Sequence, residues 1–121
     1  RASVNDKIKA YFPGRLGRAK ALNYGLSKCS GKYIAVNDAD DLSLPNRITE
    51  QVEFLEKNSE YVLVGSKMYI HNTESGEKTD YVDSYRPIKD DEIKAYFLTG
   101  QPIQHSSVLM RAKTVKKITE T

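Results

Sequence analysis

At 121 residues the chain has room for one domain with a small but real core. Hydrophobic residues make up 39% of it and charged residues 29%, which argues against an intrinsically disordered chain. No apolar stretch approaches the length of a membrane span, no signal peptide is recognisable, and a single cysteine, Cys29, excludes an internal disulfide.

The net charge of +3 is distributed unevenly. Residues 1–32 carry eight Lys or Arg against one Asp, whereas residues 33–60 carry seven acids against two bases. The two segments could pair with each other, or hold an anion between basic side chains and a metal bound by the acids. The bases lack interleaved aromatic residues and no nucleic-acid motif is present, so the sequence does not indicate a nucleic-acid partner.

The first predicted elements are a helix and a strand. Apolar residues recur at three- and four-residue steps over residues 15–28, which predicts an amphipathic helix ended by Gly31 and carrying Cys29 on its core face. The apolar run at 33–36 predicts a buried, central strand.

A second helix is predicted between Ser43, as its N-cap, and Lys57, with Pro45 tolerated in the first turn. Its apolar residues fall on one face at helical spacing. The expected core positions are Leu44, Ile48, Val52 and Leu55.

The second half of the chain predicts shorter elements. Alternating residues indicate a strand over 61–70, with Gly65 marking a close approach of another segment. A turn at 72–76 and a strand near 79–85 follow. Beyond them we expect a helix capped by Asp90 or Asp91 and ended by Gly100, a strand over 106–110 and a helix from Ala112.

The predicted order is helix, strand, helix, strand, strand, helix, strand, helix, which predicts an α/β fold with a mixed sheet flanked by helices. Such sheets usually begin with a βαβ unit. The sequence contains no counterpart of that opening unit, because its first element is a helix.

Three carboxylates follow the predicted strand directly, at Asp38, Asp40 and Asp41. Like charges this close repel one another unless a cation or hydrogen-bond donors offset them. Open α/β sheets bind ligands at the carboxyl ends of their strands, and hard divalent cations prefer oxygen ligands. The cluster therefore indicates either a divalent cation that binds a phosphate, or a solvated acidic loop.

Several stretches carry a joint pattern. They are residues 17–25 (GRAKALNYG), 30–37 (SGKYIAVN), 38–41 (DADD) followed by Pro45 and Gln51, and 105–111 (HSSVLMR). In this order they resemble the inverting glycosyltransferases of family 2, which have the GT-A fold. Two positions depart from the family pattern: Asn37, where an apolar residue is usual, and Ser106, where a proline is usual.

The resemblance implies a nucleotide-sugar donor, bound Mn²⁺ or Mg²⁺, and a saccharide or lipid-linked acceptor. It implies inversion at the anomeric carbon, in the biosynthesis of cell-surface polysaccharide or glycolipid. We expect a cytoplasmic protein, and leave open a peripheral association with the inner face of the membrane.

The resemblance also assigns roles to residues. Asp40 would be the direct metal ligand, with Asp38 near the metal or the ribose. The expected donor-binding residues are Arg18, Asn23, Asp38, Asp41 and His105. Structural alternatives stay open for three of these: a solvated helix charge for Arg18, a packing role for Asn23 and a structural imidazole for His105.

By the same resemblance, residues 1–121 correspond to the middle and later portion of a single catalytic domain. The catalytic base is then expected beyond Thr121, and half of the nucleotide site before Arg1. On its own this chain should not transfer sugar. It should also self-associate through uncovered sheet edges.

Two other functions remain open from the sequence. The chain could be a non-catalytic module of the same fold that binds a nucleotide or a metal. It could also belong to a nucleotidylyltransferase-like enzyme, although the glycine-rich loop that such enzymes use near their N-terminus is not visible.

Overall fold

The computed structural model describes residues 7–80 and 86–119. Their helices and strands are α1 (Arg18–Lys28), β1 (Tyr33–Ala35), α2 (Arg47–Lys57), β2 (Leu63–Val64), β3 (Tyr69–His71), β4 (Lys78–Asp80), α3 (Asp90–Tyr96), β5 (Leu109–Arg111) and α4 (Ala112–Thr119). The chain divides into two compact units, Arg1–Ser30 and Gly31–Thr121, each of which is described by itself. Within the described ranges, no helix has the length and apolar character needed to cross a bilayer.

Helix α1 of the first unit is shorter than the predicted helix over 15–28. It begins after Gly17, because the φ of 76° and ψ of 161° at this residue are not helical. Glycine adopts such a conformation readily, since it has no Cβ atom. It ends at Lys28, since Cys29 is already extended with φ −72° and ψ 133°. Gly31 therefore does not end the helix as predicted.

Aromatic contacts, rather than a buried face, hold α1 in its unit. The ring of Tyr24 meets that of Tyr11 edge to face, with centroids 6.1 Å apart. The Nζ atom of Lys28 lies 5.0 Å from the Tyr24 centroid, a cation–π distance. No α1 residue is fully buried, and Cys29 is half-buried rather than part of a core.

The sheet of the second unit has the strand order β1–β5–β2. Ile34 pairs with Met110, and Leu63 pairs with Met110 on the other side, both antiparallel. The prediction that 33–36 forms the central strand is therefore wrong for the described sheet. The central strand is β5, because it pairs on both sides. Its Leu109 is 1% exposed. The pairings of the described residues are antiparallel, so they do not include the parallel pairs of a mixed sheet.

Helix α2 begins at Arg47 with Asn46 as its N-cap, later than predicted from Ser43. Leu44 precedes Pro45 and is thereby biased away from helical geometry, which explains the delay. Leu55 is fully buried as expected, but Leu44 is 55% exposed and Gln51 takes a buried position.

The predicted strand over 61–70 is interrupted after Val64, and β3 pairs with β4 in a separate hairpin. The close approach predicted at Gly65 is confirmed. A Cβ atom there would lie 2.5 Å from Cγ2 of Ile103 and 3.3 Å from Oγ of Ser107. The backbone thus leaves the sheet where residues 103–107 pack against it.

The predicted turn at 72–76 is confirmed. Oδ1 of Asn72 accepts hydrogen bonds from the backbone amides of Glu74, at 2.9 Å, and Ser75, at 3.2 Å. Gly76 has a φ of 71°, which closes the hairpin. The strand predicted near 79–85 is present as β4, and its part beyond residue 80 lies outside the described residues.

The remaining elements follow the prediction with shifted boundaries. Asp90 is the first residue of α3, and Lys89 occupies the N-cap. The strand expected over 106–110 begins later, because His105–Ser107 form a 3₁₀ turn. Helix α4 begins at Ala112 as predicted.

The buried apolar residues belong to β1, α2, β5 and α4, and they are Ile34, Leu55, Leu109 and Ala112. Arg111, the last residue of β5, ties α2 to this sheet. Its Nε atom donates to the carbonyl of Tyr61 at 2.8 Å, and Nη2 donates to those of Leu55 and Asn58 at 2.5 and 3.3 Å. The last carbonyls of α2 are thereby satisfied by a cation, as a helix C-terminus favours.

A smaller polar group accompanies Arg111. Its Nη1 atom donates to the hydroxyl of Tyr33 at 3.3 Å, and that hydroxyl donates to Glu56 at 2.8 Å. Hydrogen bonds from Lys32 and Tyr33 lower the pKa of Glu56, and the bond to Glu56 raises the pKa of Lys32. We call this set, Lys32, Tyr33, Glu56 and Arg111, the Arg111 cluster.

Candidate functional site

The carboxylates lie at the end of β1, in a tight turn that we call the acid turn (residues 38–41). The ladder to β5 extends one step past the strand, since the amide of Val36 donates to the carbonyl of Val108 at 2.9 Å. The amide of Asp41 then donates back to the carbonyl of Asp38 at 3.1 Å and closes the turn. Asp38 is half-buried, whereas Asp40 and Asp41 are exposed.

Polar side chains that frame the acid turn form a connected group, which we call the loop clasp (Asn37, Ser43 and Arg47). Nδ2 of Asn37 donates to the carbonyls of Asp38 at 2.8 Å and Asp41 at 3.1 Å. Oδ1 of Asn37 accepts from the hydroxyl of Ser43 at 2.7 Å and from Nη1 of Arg47 at 3.1 Å. The clasp therefore contacts the acid turn at both ends.

The start of β5 lies at the same end of the sheet. Since β1 and β5 run antiparallel, the residues before β5 lie at the end of the sheet where β1 runs into the acid turn. The 3₁₀ turn His105–Ser107 occupies this position. The structure thus brings the acid turn and His105 to one end of the sheet, as a joint site requires.

Gln51 links this 3₁₀ turn to α2. It is 5% exposed, and its Nε2 atom donates to the carbonyl of Ser107 at 2.8 Å. The hydroxyl of Ser107 accepts from the amide of Ser66 at 3.2 Å and donates to the carbonyl of Gln104 at 2.8 Å. These bonds fix the segment that carries His105.

Buried polar atoms without a hydrogen-bond partner occur at this end among the described residues: Nε of Arg47, Oε1 of Gln51 and Nδ1 of His105. An unpaired buried polar atom costs free energy, so native proteins usually supply it with water or a ligand. The Arg111 cluster at the other end has no such atom among its described residues. The unpaired atoms therefore favour the acid-turn end as the place for a ligand.

The acid turn fits a cation that completes its shell with ligands from elsewhere. Among the described residues, no three His, Cys, Asp or Glu side chains are grouped as a preformed metal centre. No ion pair joins Asp38, Asp40 or Asp41 to a base within residues 7–80 and 86–119. Carboxylates left unpaired in this way suit Mg²⁺ or Mn²⁺, which take one or two carboxylates together with phosphate oxygens and water.

Two of the predicted donor-binding residues belong to the first unit. Arg18 is the first residue of α1, and Asn23 lies in its middle, with both side chains exposed. The acid turn and His105 belong to the second unit. The donor-binding role of Arg18 and Asn23 stays a prediction.

The large groove of the second unit is elsewhere. It has a volume of about 1720 Å³ and is lined by β2, residues 65–69, residues 86–91, α3 and residues 102–104. None of the acid-turn residues lines it. The candidate site is therefore recognised by its side-chain chemistry, and it lies outside this groove.

The sequence analysis assigns no positioning role to the loop clasp or to Gln51. Asn37 is a departure from the family pattern there, Gln51 is a position within that pattern and Ser43 is a predicted N-cap. Arg47 reads as one more surface charge at a helix start. A cation at that position is disfavoured by the helix dipole, and a polar Gln51 lies one residue before Val52 in the predicted apolar stripe. Both are local signals that could have marked these residues as engaged in specific contacts.

Comparisons with known proteins agree with these observations. The family model described as Glycosyl transferase family 2 matches residues 5–119. The predicted α/β fold of the GT-A class is thereby confirmed.

Three relatives illustrate the similarity. The chain is 36% identical over 118 residues to a putative glycosyltransferase, EpsE, of Bacillus subtilis, which covers 97% of this chain and 40% of the relative. It is 33% identical over 105 residues to the uncharacterized glycosyltransferase MJ1057 of Methanocaldococcus jannaschii, covering 85% and 35%. It is 30% identical over 100 residues to the amylovoran biosynthesis glycosyltransferase AmsE of Erwinia amylovora, covering 83% and 36%. The chain thus spans 35 to 40% of the length of these relatives.

Proposed function

This chain belongs to glycosyl transferase family 2, and on that premise we propose that the protein transfers a sugar from a nucleotide-sugar donor to a saccharide or lipid-linked acceptor, with inversion. The observation that carries the proposal is the acid turn at the end of β1, at the same end of the sheet as buried polar atoms that find no hydrogen-bond partner among the described residues. The match to the family over residues 5–119 supports a nucleotide-sugar donor, and carboxylates that follow a strand suit a donor diphosphate bound through a cation.

In this proposal Asp40 is the direct ligand of Mn²⁺ or Mg²⁺, and Asp38 completes the protein's share of the shell. When bound, the cation would offset the charge that grows on the leaving diphosphate. The exposure of Asp40 supports this role, because its carboxylate is open to a ligand from solvent. The half-buried position of Asp38 suits a residue that contacts both the cation and the donor.

The donor-binding residues of the proposal are Asp41, His105, Arg18 and Asn23. Nδ1 of His105 is buried without a hydrogen-bond partner among the described residues, so the imidazole has a free ring nitrogen to offer to a donor group. Asp41 has a fixed backbone in the acid turn, and its exposed carboxylate would face the sugar. The location of the base that would deprotonate the acceptor hydroxyl, expected beyond Thr121, stays a prediction.

The class of product follows from one relative. AmsE is named as an amylovoran biosynthesis glycosyltransferase. Its similarity to this chain supports a role in polysaccharide biosynthesis. A location in the cytoplasm, with a peripheral association at the inner face of the membrane left open, stays a prediction. A non-catalytic binding module is the alternative, and it would bind the donor without cleaving it.

Donor hydrolysis by the intact protein tests the proposal. The protein is incubated with a panel of nucleotide sugars and Mn²⁺, with and without EDTA, and the released nucleoside diphosphate is measured. We expect release from one or a few donors, and loss of that release with EDTA. Nucleotide-sugar binding without release, even when saccharide acceptors are added, would favour the non-catalytic module. Metal-independent release would contradict the metal assignment.

A further inference from the structure

We propose that Asn37, the central residue of the loop clasp, is a positioning residue that holds the acid turn in the geometry needed for binding the cation and the donor. The inference rests on the proposed function, and it assigns a task to a side chain that bonds the backbone of the acid turn and not its carboxylates. Ser43 and Arg47 hold Asn37 in place.

The first step of the argument is the reach of the Asn37 amide. Its Nδ2 group donates to the carbonyls of both Asp38 and Asp41, at 2.8 and 3.1 Å. These two bonds restrain the distance between the ends of the turn. They act in addition to the turn's own hydrogen bond, from the Asp41 amide to the Asp38 carbonyl. Three like charges within four residues push such a loop apart, and these bonds oppose that expansion.

The second step is the orientation of the amide. Asparagine offers two donors and two lone pairs, and this amide uses its donors on the acid turn and its lone pairs on Ser43 and Arg47. An aspartate would set an oxygen against two carbonyls, and a leucine would make none of the four bonds. Asparagine therefore suits this position, because its amide can donate to the acid turn and accept from Ser43 and Arg47 at the same time.

The third step is the anchor. Nη2 of Arg47 donates to the carbonyl of Val36 at 2.8 Å and to that of Val108 at 3.5 Å, and Nη1 donates to Ser43 at 2.8 Å. The guanidinium thus ties the clasp to the end of β1 and the start of β5. A continuous set of hydrogen bonds leads from the sheet to the backbone of the acid turn.

The consequence is a preorganised turn. Residues that orient direct metal ligands typically change metal affinity by about 10- to 100-fold when they are replaced. Loss of the Asn37 amide should therefore weaken binding without unfolding the protein, because the buried core and the Arg111 cluster are separate from it.

The experiment compares Asn37→Leu and Asn37→Asp with the wild type, in the intact protein. Binding of Mn²⁺ in the presence of UDP is measured by electron paramagnetic resonance, and hydrogen exchange is followed over residues 38–42. We expect about 10-fold or weaker Mn²⁺ binding in both variants, and faster exchange of the Asp41 amide. Ser43→Ala should weaken Mn²⁺ binding by a smaller factor. Ser43→Thr should bind Mn²⁺ like the wild type, because threonine retains the hydroxyl.

Asn72→Leu is the matched control, because Asn72 holds the hairpin turn through its own Oδ1 atom. It should loosen that turn and leave Mn²⁺ binding with UDP unchanged. If Asn37→Leu binds Mn²⁺ and UDP like the wild type, the positioning role is wrong. If the wild type itself does not bind Mn²⁺ with UDP, the proposed function fails. Hydrogen exchange over residues 38–42 then decides the positioning role by itself. Unchanged exchange in Asn37→Leu would overturn that role, and faster exchange would support it.

Discussion

Arginines hold both ends of the β1–β5 pair, and the two ends differ in what surrounds the guanidinium. Arg111 donates to the carbonyls of Leu55, Asn58 and Tyr61, and its cluster leaves no buried polar atom unpaired among the described residues. Arg47 also donates to carbonyls, but within the described part of the chain its Nε atom has no partner, and its neighbour Asn37 bonds the backbone of a turn whose carboxylates make no ion pair there. The same residue type is thus part of a fully paired cluster at one end of the sheet, in Arg111, and of a group able to accept a ligand at the other end, in Arg47.

The contrast separates stability from function. Satisfied hydrogen bonds at the Arg111 end stabilise the fold, because a removed partner leaves carbonyls unpaired. Unpaired groups at the acid-turn end cost stability, which proteins commonly accept at functional sites. Variants at the two ends should therefore change different measured quantities.

The largest expected effect is at the acid turn. Asp40→Asn removes the proposed metal ligand and should lower Mn²⁺-dependent donor turnover by about 100-fold or more, because a bound cation contributes several kcal/mol to transition-state stabilisation. Steady-state turnover of the intact protein checks this. Asp91→Asn, which removes an equal charge from α3, is the control and should leave turnover unchanged. Equal losses in both variants would show a general charge effect.

At the opposite end, Arg111→Leu should lower the free energy of unfolding by about 3 kcal/mol, because it leaves partly buried carbonyls without a donor. Chemical denaturation of the intact protein measures the change. Arg111→Lys keeps the charge but loses the forked geometry, so it should recover only part of the loss. A change in Mn²⁺ affinity at unchanged stability would contradict the division between the two ends.

A smaller effect is expected at Gly65, which packs against residues 103–107 at the end of β2. Gly65→Ala places a Cβ atom 2.5 Å from Cγ2 of Ile103 and should cost about 1 to 2 kcal/mol of stability. Shortening the neighbour in Gly65→Ala/Ile103→Ala relieves the contact, so the two changes should be non-additive in denaturation experiments. Additive losses would show that the two residues do not meet.

The smallest effect is the pH dependence of the Lys32–Glu56 ion pair, which is exposed to solvent. The folded-state pKa of Glu56 is lowered from 4.5, so its contribution is fully present above that value and is lost as the pH falls through the lower folded-state pKa. The pKa of Lys32 is raised from 10.5, so its contribution is lost only as the pH rises through the higher folded-state value. The difference in melting temperature between the wild type and Glu56→Gln should therefore shrink on acidification, and a constant difference would contradict the assignment.

Local pattern predicted much of this fold. The spacing of apolar residues predicted α2, α4 and β1 to within a few residues, and the turn at 72–76 followed from turn-forming residue types. Gly65 was recognised as a close approach because glycine within a strand pattern permits one.

Contacts between distant segments could not be predicted in the same way. The central place of β5 depends on which strands pair, and β5 pairs with strands far from it in the chain. Arg47 contacts a carbonyl 61 positions away, and Gln51 contacts one 56 positions away. A single sequence shows the polar side chain but not the carbonyl that it will meet.

The central claim is that Asp40 binds the cation that holds the donor diphosphate. Crystals of the intact protein soaked with Mn²⁺ and UDP, measured at the manganese absorption edge, locate the ion by its anomalous scattering. The account predicts an ion about 2.0–2.6 Å from an Asp40 carboxylate oxygen, with Asp38 beside it and UDP phosphate oxygens completing the shell. An ion bound with UDP at a place that does not include the acid turn would contradict the account.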